Sequence, residues 1–367
     1  MTTVDTESAL PSTTSGARTY QPTSHPLWRR WLVSREAAVI ALLIIVIVYS
    51  MNNIAFFDSK ITMTFLLLDV APILLIALPM TLVIITGEID LSVASVVALS
   101  SVLVGVLIDH GWPIELASFA ALLAGAVCGF VNGWLVTAVG LPSLAVTIGT
   151  LALYRGLAVG LLGTTAITDF PENWKKLAQG QLGTTGVPNI TVPFVVLLVV
   201  FITVLHFTPF GRGVYAVGKN EAAARFSGIR VERTKLIVFV LSGVVSALAG
   251  LYYTLRFGSS RGDNATGMEL QVIAAVLLGG VSIFGGRGAL VGVVAGVLLI
   301  GVLGSALRLD NYTADVIQII TGLLLVASVV ATSVLNWIGS LRRRPPASTP
   351  TSRGNHSNES APSGSPR

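Results

Sequence analysis

The sequence predicts an all-α integral membrane protein with about ten transmembrane helices. Of its 367 residues, 53% are hydrophobic and only 11% are charged, and the mean hydropathy is +0.80. A soluble domain carries roughly 25% charged residues, so this chain has too little polar surface to cover a globule in water. Apolar runs of roughly 17 to 25 residues, the length that crosses a bilayer as a helix, recur along the chain.

Ten such runs can be delimited in the sequence. In chain order they are approximately 37–57, 66–86, 91–109, 114–138, 143–163, 192–208, 234–256, 269–285, 288–307 and 313–337. Only GGRG at 285–288 separates the eighth run from the ninth, so eight or nine full crossings are alternatives. The runs follow a pattern of one, four, one and four, and the two sets of four would enter the membrane from opposite sides. This pattern predicts inverted repeats, which recur in transporters.

The positions of arginine and lysine predict that both chain termini are cytoplasmic, because cytoplasmic loops carry an excess of these residues. Basic residues cluster before the first span, in the loop 209–233 with the start of the next span, and after the last span. They are Arg29, Arg30, Arg35, Arg212, Lys219, Arg225, Arg230, Arg233, Lys235, Arg342, Arg343 and Arg344. An even count of ten spans places all three regions on one face. The connection 164–191 then lies outside, and it is long enough to carry a short helix near Trp174.

The two ends of the chain are polar. Residues 1–30 and 339–367 are rich in Ser, Thr and Pro and lack any apolar run, so both are predicted to be disordered cytoplasmic tails. Residues 31–338 then form the transmembrane domain.

Residue types that carry covalent or metal chemistry are scarce. Cys128 is the only cysteine, which excludes an intrachain disulfide. The histidines (His25, His110, His206 and His356) are too far apart to show a ligand spacing. No metal, cofactor or nucleic acid is expected to bind this chain.

A polar stretch follows the second span. The residues TGEIDLSVAS at 86–95 contain two carboxylates, Glu88 and Asp90. A charge at the bilayer centre costs about 2.5–3.5 kcal/mol on insertion scales, so such residues lie at a span end or face a cavity. Two interpretations stay open: a cytoplasmic turn with solvated carboxylates and Ser92 capping the next helix, or a broken segment that lines a pathway.

Regularly spaced glycines predict close helix packing. Gly125, Gly129 and Gly133 form a stripe on the fourth span, and Gly292 and Gly296 repeat the signal in the ninth. The run LLGGVSIFGGRGALVG at 277–292 is so rich in glycine that a helix break or a close helix contact is predicted there.

The segment GVYAVGKNEAAARFSGI at 213–229 has the G-x-x-x-x-G-K spacing of a phosphate-binding loop. Asn220 follows the lysine where a magnesium-binding hydroxyl is needed, and a membrane span precedes the segment, which argues against an ATP site. Asn220 is instead a good helix N-cap, and Gly228 favours a helix end. The segment predicts a cytoplasmic helix of about two turns that presents Phe226; an ordinary interspan loop is the alternative.

Four stretches together carry a family resemblance. The pattern G-x-N-x-x-A-A-x-x-S-G-I is matched by Gly218, Asn220, Ala223, Ala224, Ser227, Gly228 and Ile229. The others are GEIDLSVAS at 87–95, LPSLAVTIGTLALYRGLA at 141–158 and LLGGVSIFGGRG at 277–288. In order and spacing they resemble bacterial ABC importer permeases of the ribose, rhamnose and autoinducer-2 systems, with the rhamnose type closest. The resemblance covers about residues 37–337, and both tails fall outside it.

The resemblance implies a transport subunit of the bacterial cytoplasmic membrane that is not an enzyme. Two permease subunits, identical or paired with a sister chain, would form the pathway for a monosaccharide within the membrane lipid. Rhamnose or a related sugar is the main prediction, and autoinducer-2, ribose or another pentose or hexose is the alternative. A separate ATPase subunit would use ATP and Mg, and an extracytoplasmic binding protein would deliver the sugar.

The resemblance also implies roles for individual residues. The loop would be the coupling helix docked on the ATPase, through Gly218, Asn220, Ala223, Ala224, Phe226, Gly228 and Ile229. The polar and aromatic residues predicted for the pathway are Glu88, Asp90, Asn132, Trp134, Tyr154, Arg155 and Asn264. An ion-coupled secondary transporter that uses Glu88 and Asp90 is a rival interpretation, and a uniporter or channel is a third.

Overall fold

The computed structural model describes residues 35–324, 326, 327 and 330. The two predicted tails, the basic residues beyond position 324 and the last part of the tenth predicted span lie outside the described residues. Within the described ranges the chain is helical, with two isolated β-bridges and no strand. The all-α membrane fold predicted from hydropathy is confirmed.

The helices of the described residues follow one another along the chain with short connections. They are α1 (Arg35–Asn53), α2 (Lys60–Ile85), α3 (Val93–Asp109), α4 (Ile114–Thr137), α5 (Ser143–Leu162), α6 (Glu172–Gln179), α7 (Thr191–Phe207), α8 (Pro209–Lys219), α9 (Glu221–Phe226), α10 (Val231–Phe257), α11 (Met268–Leu278), α12 (Leu290–Leu309) and α13 (Ala314–Leu324). The short helix predicted near Trp174 is α6, and the one predicted after Asn220 is α9.

Six of these helices are long and apolar enough to cross a membrane, namely α1, α2, α4, α5, α10 and α12. The pair α7 and α8, bent by 69°, makes a seventh if it is counted as one span. The described residues therefore do not reach the predicted ten by helix length. The eighth predicted span, 269–285, is wrong: its helix has 11 residues and ends at Leu278. Glycines at 280, 285, 286 and 288 then adopt positive φ, which favours glycine and ends the helix.

Helix α2 lies at the centre of the bundle. Its side chains from Leu74 to Ile85 are buried, and it packs against α7, α10, α11 and α12. A helix that is apolar all round is found inside a protein core or in a membrane, and α2 is covered almost completely by its neighbours. Pro72 and Pro79 lie inside it, which membrane helices tolerate because their surroundings satisfy the freed carbonyl groups.

Helix α4 approaches α10 through the predicted glycine stripe. A Cβ added at Gly129 would overlap the carbonyl oxygen of Phe239 and lie 2.9 Å from Cα of Val240. At Gly125 it would lie 2.5 Å from the carbonyl oxygen of Gly243. The missing side chains let two backbones touch, so the packing role predicted for this stripe is confirmed.

The substitution Gly129→Ala is expected to lower the thermal unfolding midpoint of the purified protein in detergent. The added methyl has only backbone atoms in front of it, and over-packing of this kind costs about 1–3 kcal/mol. Gly149→Ala is the matched control, because no atom lies within 4 Å of a Cβ at that position of α5. Equal midpoints for the two variants would contradict the packing role of Gly129.

The bundle has two distinguishable ends. At one of them the C-terminus of α2 meets α8 and the loop 279–289, and the amide of Gly286 donates to the carbonyl of Ile85 at 2.8 Å. Helix α9 packs against α8 and α10 at the same end. We call it the basic end, because Arg212, Lys219, Arg225 and Arg230 are exposed there. The opposite end carries α6 and the loop 258–267. Helix α6 is fixed there where Gln179 Nε2 donates to the carbonyl of Arg256, just before that loop.

Candidate functional site

Three of the four motif stretches meet at the basic end around Gly218. A Cβ on Gly218 would overlap the carbonyl oxygen of Ile85 and lie 2.5 Å from the amide nitrogen of Gly286. A Cβ on Gly286 would lie 2.8 Å from Cγ of Lys219. The end of α8, the end of α2 and the glycine-rich loop are thus in backbone contact, which requires glycine at these positions.

The polar segment that precedes α9 folds as its sequence predicts. Asn220 is the N-cap, and its Oδ1 accepts a hydrogen bond from the amide of Ala223 at 2.8 Å. The helix has six residues rather than two full turns, and Gly228, with φ of +81°, follows its last turn. These local signals favour the helix over the alternative of an ordinary loop.

The residues predicted to contact a partner at α9 differ in exposure. Phe226 is 93% exposed, although it is apolar. Asn220, Ala223 and Gly228 are exposed as well, and Gly218 and Ile229 are half-buried. Ala224 does not fit the predicted partner contact, because its side chain is buried against Val217 and Val231. The helix turns this face towards α8 and α10.

The carboxylate of Glu88 is part of an ion-pair network at the basic end. Lys235 in α10 places its Nζ 2.7 Å from Glu88 Oε1 and 2.7 Å from Glu221 Oε2, the latter in the first residue of α9. Arg225 contacts Glu221 at 3.3 Å and also pairs with Glu232. These five side chains line a cavity of about 360 Å³ together with the end of α4 and the start of α5. The interpretation of Glu88 as a solvated turn residue is wrong, since its side chain is only 15% exposed.

Asp90 is buried between helices rather than solvated. Its Oδ1 accepts hydrogen bonds from the amide and hydroxyl of Ser92 at 3.0 and 2.6 Å, and its Oδ2 accepts one from Ser242 of α10 at 2.8 Å. Ser92 is the N-cap residue of α3, as the turn interpretation predicts, but its side chain makes no capping hydrogen bond there. Asn132 donates to Ser92 Oγ at 2.8 Å, while its Oδ1 has no partner within the described chain.

Backbone groups of the same segment are bound by α5. Ser143 accepts a hydrogen bond from the amide of Ile89 at 3.2 Å, and the hydroxyl of Thr147 donates to the carbonyl of Ile89 at 3.2 Å. Residues 87–92, which we call the GEIDLS segment, are therefore held by α4, α5 and α10. Sequence reasoning missed Lys235, Ser242 and Ser143 as partners, because 54 to 152 residues separate the serines from the segment and no local pattern marks them.

Arg155 and Asn264 meet in the other half of the bundle. Arg155 donates to the carbonyl groups of Gly262 and Asn264 at 2.9 and 2.6 Å, and to that of Ala94 at 3.4 Å. These carbonyls are the partners that an arginine inside an apolar run needs. The amide of Asn264 donates to Ser101 in the middle of α3 at 3.0 Å. The loop 258–267 thus enters the bundle instead of lying over it.

A polar cavity of about 540 Å³ opens beside this loop. It is lined by Tyr253, Phe257, Ser259, Arg261, Asp263, Asn264, Ala265, Thr266, Met268 and Gln271. Arg261 and Asp263 form a bidentate ion pair with both distances at 2.9 Å. The hydrogen bond from Arg261 lowers the pKa of the Asp263 carboxyl, so this pair stays ionised and contributes no net charge to the cavity.

The remaining predicted pathway residues do not join either group. Tyr154 is buried between α4 and α5 and donates to the carbonyl of Cys128 at 3.1 Å. Trp134 is 48% exposed on the surface of α4. The seven predicted residues therefore lie in separate places, with Glu88, Asp90 and Asn132 near the basic end and Arg155 and Asn264 nearer the opposite end.

Comparisons with known proteins show which family the chain belongs to. Residues 62–329 match the family described as branched-chain amino acid transport system / permease component. Three similar proteins are the autoinducer 2 import system permease proteins LsrD of Yersinia enterocolitica, Salmonella typhimurium and Escherichia coli O157:H7. They are 34%, 34% and 36% identical over 306, 314 and 306 residues. These alignments cover 82%, 84% and 82% of this chain and 92%, 93% and 92% of the relatives.

No solved structure matches the chain. All four motif stretches lie within the matched residues 62–329. The chain therefore belongs to this family of transport-system permeases, which confirms the resemblance to ABC importer permeases that its motifs predict.

Proposed function

We propose that this chain is the membrane-spanning subunit of an ATP-driven importer of autoinducer 2 or a related sugar. The observation that carries the proposal is the likeness to autoinducer 2 permeases, which extends over 82% to 84% of this chain. The names of these relatives favour autoinducer 2 over rhamnose, the sugar that the motifs alone favour. Ribose or another pentose or hexose is the second candidate.

The basic end faces the cytoplasm in this proposal, so that α9 is accessible to an ATPase. Exposed Arg212, Arg225 and Arg230 support that orientation, because an excess of basic residues marks cytoplasmic loops. At the opposite end Lys175 pairs with Glu172, so the charges there are more nearly balanced. With the basic end in the cytoplasm, the loop 258–267 at the opposite end lies on the extracytoplasmic side of the membrane.

Helix α9 is the proposed docking element for the ATPase. A helix of six residues is unstable alone, and this one is fixed by the Asn220 cap and by Ala224, which packs against α8 and α10. Phe226 projects from it without cover. A projecting aromatic side chain on a rigid element is the kind of anchor that fills a pocket of a partner and dominates an interface.

The cavity beside loop 258–267 is the proposed outer part of the sugar pathway. Tyr253 and Phe257 offer aromatic faces there, and Asn264 and Gln271 offer amides. A neutral sugar is held by hydrogen bonds and apolar contact rather than by net charge, and the paired Arg261 and Asp263 leave the lining neutral. An extracytoplasmic binding protein would release its sugar here, and a second permease subunit would complete the pathway.

Reconstituted transport tests the proposal. Proteoliposomes that contain the permease and its ATPase, supplied with the binding protein, are expected to take up autoinducer 2 only when ATP reaches the basic end. An uncoupler should have no effect. Uptake by the permease alone that an uncoupler abolishes would overturn the importer proposal in favour of an ion-coupled transporter. Uptake of rhamnose without autoinducer 2 would overturn only the substrate.

A further inference from the structure

The ion-pair network at the basic end joins the proposed docking helix to the interior of the bundle. Lys235 lies in the second turn of α10, and its side chain is only 11% exposed. It contacts one carboxylate on each side, Glu221 of α9 and Glu88 of the GEIDLS segment, both at 2.7 Å. Two ion pairs thus meet at one ammonium group.

The two carboxylates belong to parts of the chain with different surroundings. Glu221 is 47% exposed and opens α9, whereas Glu88 is 15% exposed. Glu88 stands two residues before Asp90, which Ser242 ties to α10. Ile89 between them is bound on both its amide and its carbonyl by α5, and Ser92 is bound by Asn132 of α4. A displacement of Glu88 therefore acts on three helices at once.

The cavity beside the network leaves room for such a displacement. Its volume of about 360 Å³ lies between the ion pairs and the residues 136–142, where α4 ends and α5 begins. Charged groups that are mostly shielded from water interact more strongly than exposed ones. When one partner of such a pair is removed, the charge of the other is left uncompensated, which destabilises its present position.

We infer that Lys235 is a positioning residue that transmits the movement of α9 to the GEIDLS segment through Glu221 and Glu88. The inference rests on the proposed function, in which an ATPase moves α9. Removal of the ammonium leaves α9 on the surface of the protein and the GEIDLS segment in the bundle, but it disconnects the two. ATP hydrolysis then continues without productive transport.

The test measures uptake and ATP hydrolysis in the same proteoliposomes, together with copurification of the ATPase. Lys235→Met and Glu88→Gln are each expected to keep the ATPase bound. Uptake per ATP hydrolysed is expected to fall roughly tenfold, which is within the range of typical coupling between two sites. Lys235→Arg is expected to restore most of the ratio, because a guanidinium can also bridge two carboxylates. Lys175→Met removes another ion-paired lysine, at the opposite end, and is expected to leave the ratio unchanged.

The double variant Lys235→Met with Glu88→Gln sharpens the test. Both single changes break the same linkage, so the double variant should be no worse than either one; independent roles would add. Additive losses, or Lys235→Arg as impaired as Lys235→Met, would overturn the inference. So would loss of ATPase binding by Glu88→Gln, since that residue would then act in docking. If the wild-type protein shows no ATP-dependent uptake, the proposed function itself fails; normal wild-type coupling with unaffected variants refutes only the linkage.

Discussion

Gly218→Ala is expected to abolish transport. The methyl group would overlap the carbonyl oxygen of Ile85 and press on the amide of Gly286, which are themselves hydrogen-bonded at 2.8 Å. Both obstacles are backbone atoms that cannot rotate away, so α8, α2 and the glycine-rich loop must separate. Because α9 begins at Glu221, shortly after Gly218 in the chain, this proposed docking helix loses its position as well.

Sugar uptake and the thermal unfolding midpoint measure this effect. Gly213→Ala is a close control in the same helix, since the nearest atom to a Cβ there is Ile229 Cγ2 at 3.6 Å, an ordinary contact. The control should transport sugar at close to the wild-type rate. Normal uptake by the Gly218→Ala protein would show that the contact between the three segments is not needed.

Phe226→Ala is expected to release the ATPase without harming the fold. With 93% of its surface exposed, the ring makes little contact within the chain, and substitutions of this kind change stability by about 0.5 kcal/mol or less. Loss of an aromatic anchor from an interface costs about 2 kcal/mol or more, which is roughly a thirtyfold weaker complex. Copurification of the ATPase should therefore fall sharply while the unfolding midpoint of the permease stays the same.

Phe119→Ala provides the comparison for this result. Phe119 is 65% exposed, but it lies on α4, away from the basic end. Its removal should leave ATPase binding intact. Equal binding by both variants would mean that Phe226 is not an anchor and that α9 docks in another way.

Helix α9 shows how much a local sequence can predict. Asn220 caps it, the alanines favour it and Gly228 ends it, and each effect involves residues within about one turn. The same pattern does not tell which face is covered, and the family resemblance implies a partner contact for Ala224 although that residue is buried. Exposure depends on α8 and α10, whose placement no capping signal encodes.

The predicted pathway residues show where sequence reasoning stops. Glu88 and Asp90 stand out as charges among apolar residues, but hydropathy does not identify the groups that surround them. Their environments come from Lys235 and Ser242, which lie in another helix more than 140 residues away. The eighth span fails for a related reason, because an apolar composition does not distinguish a full crossing from an 11-residue helix followed by a glycine loop.

The sequence alone determined the all-α membrane class, the family and the small helix α9, because hydropathy, motif order and capping depend on residues close together in the chain. Only the tertiary structure decided that Asp90 is buried, that Glu88 is linked to α9 through Lys235, and that Arg155 holds loop 258–267 inside the bundle. Ion pairs and hydrogen bonds between distant segments form only after the helices have packed. The ion-pair linkage between α9 and the bundle interior is therefore a property of the fold.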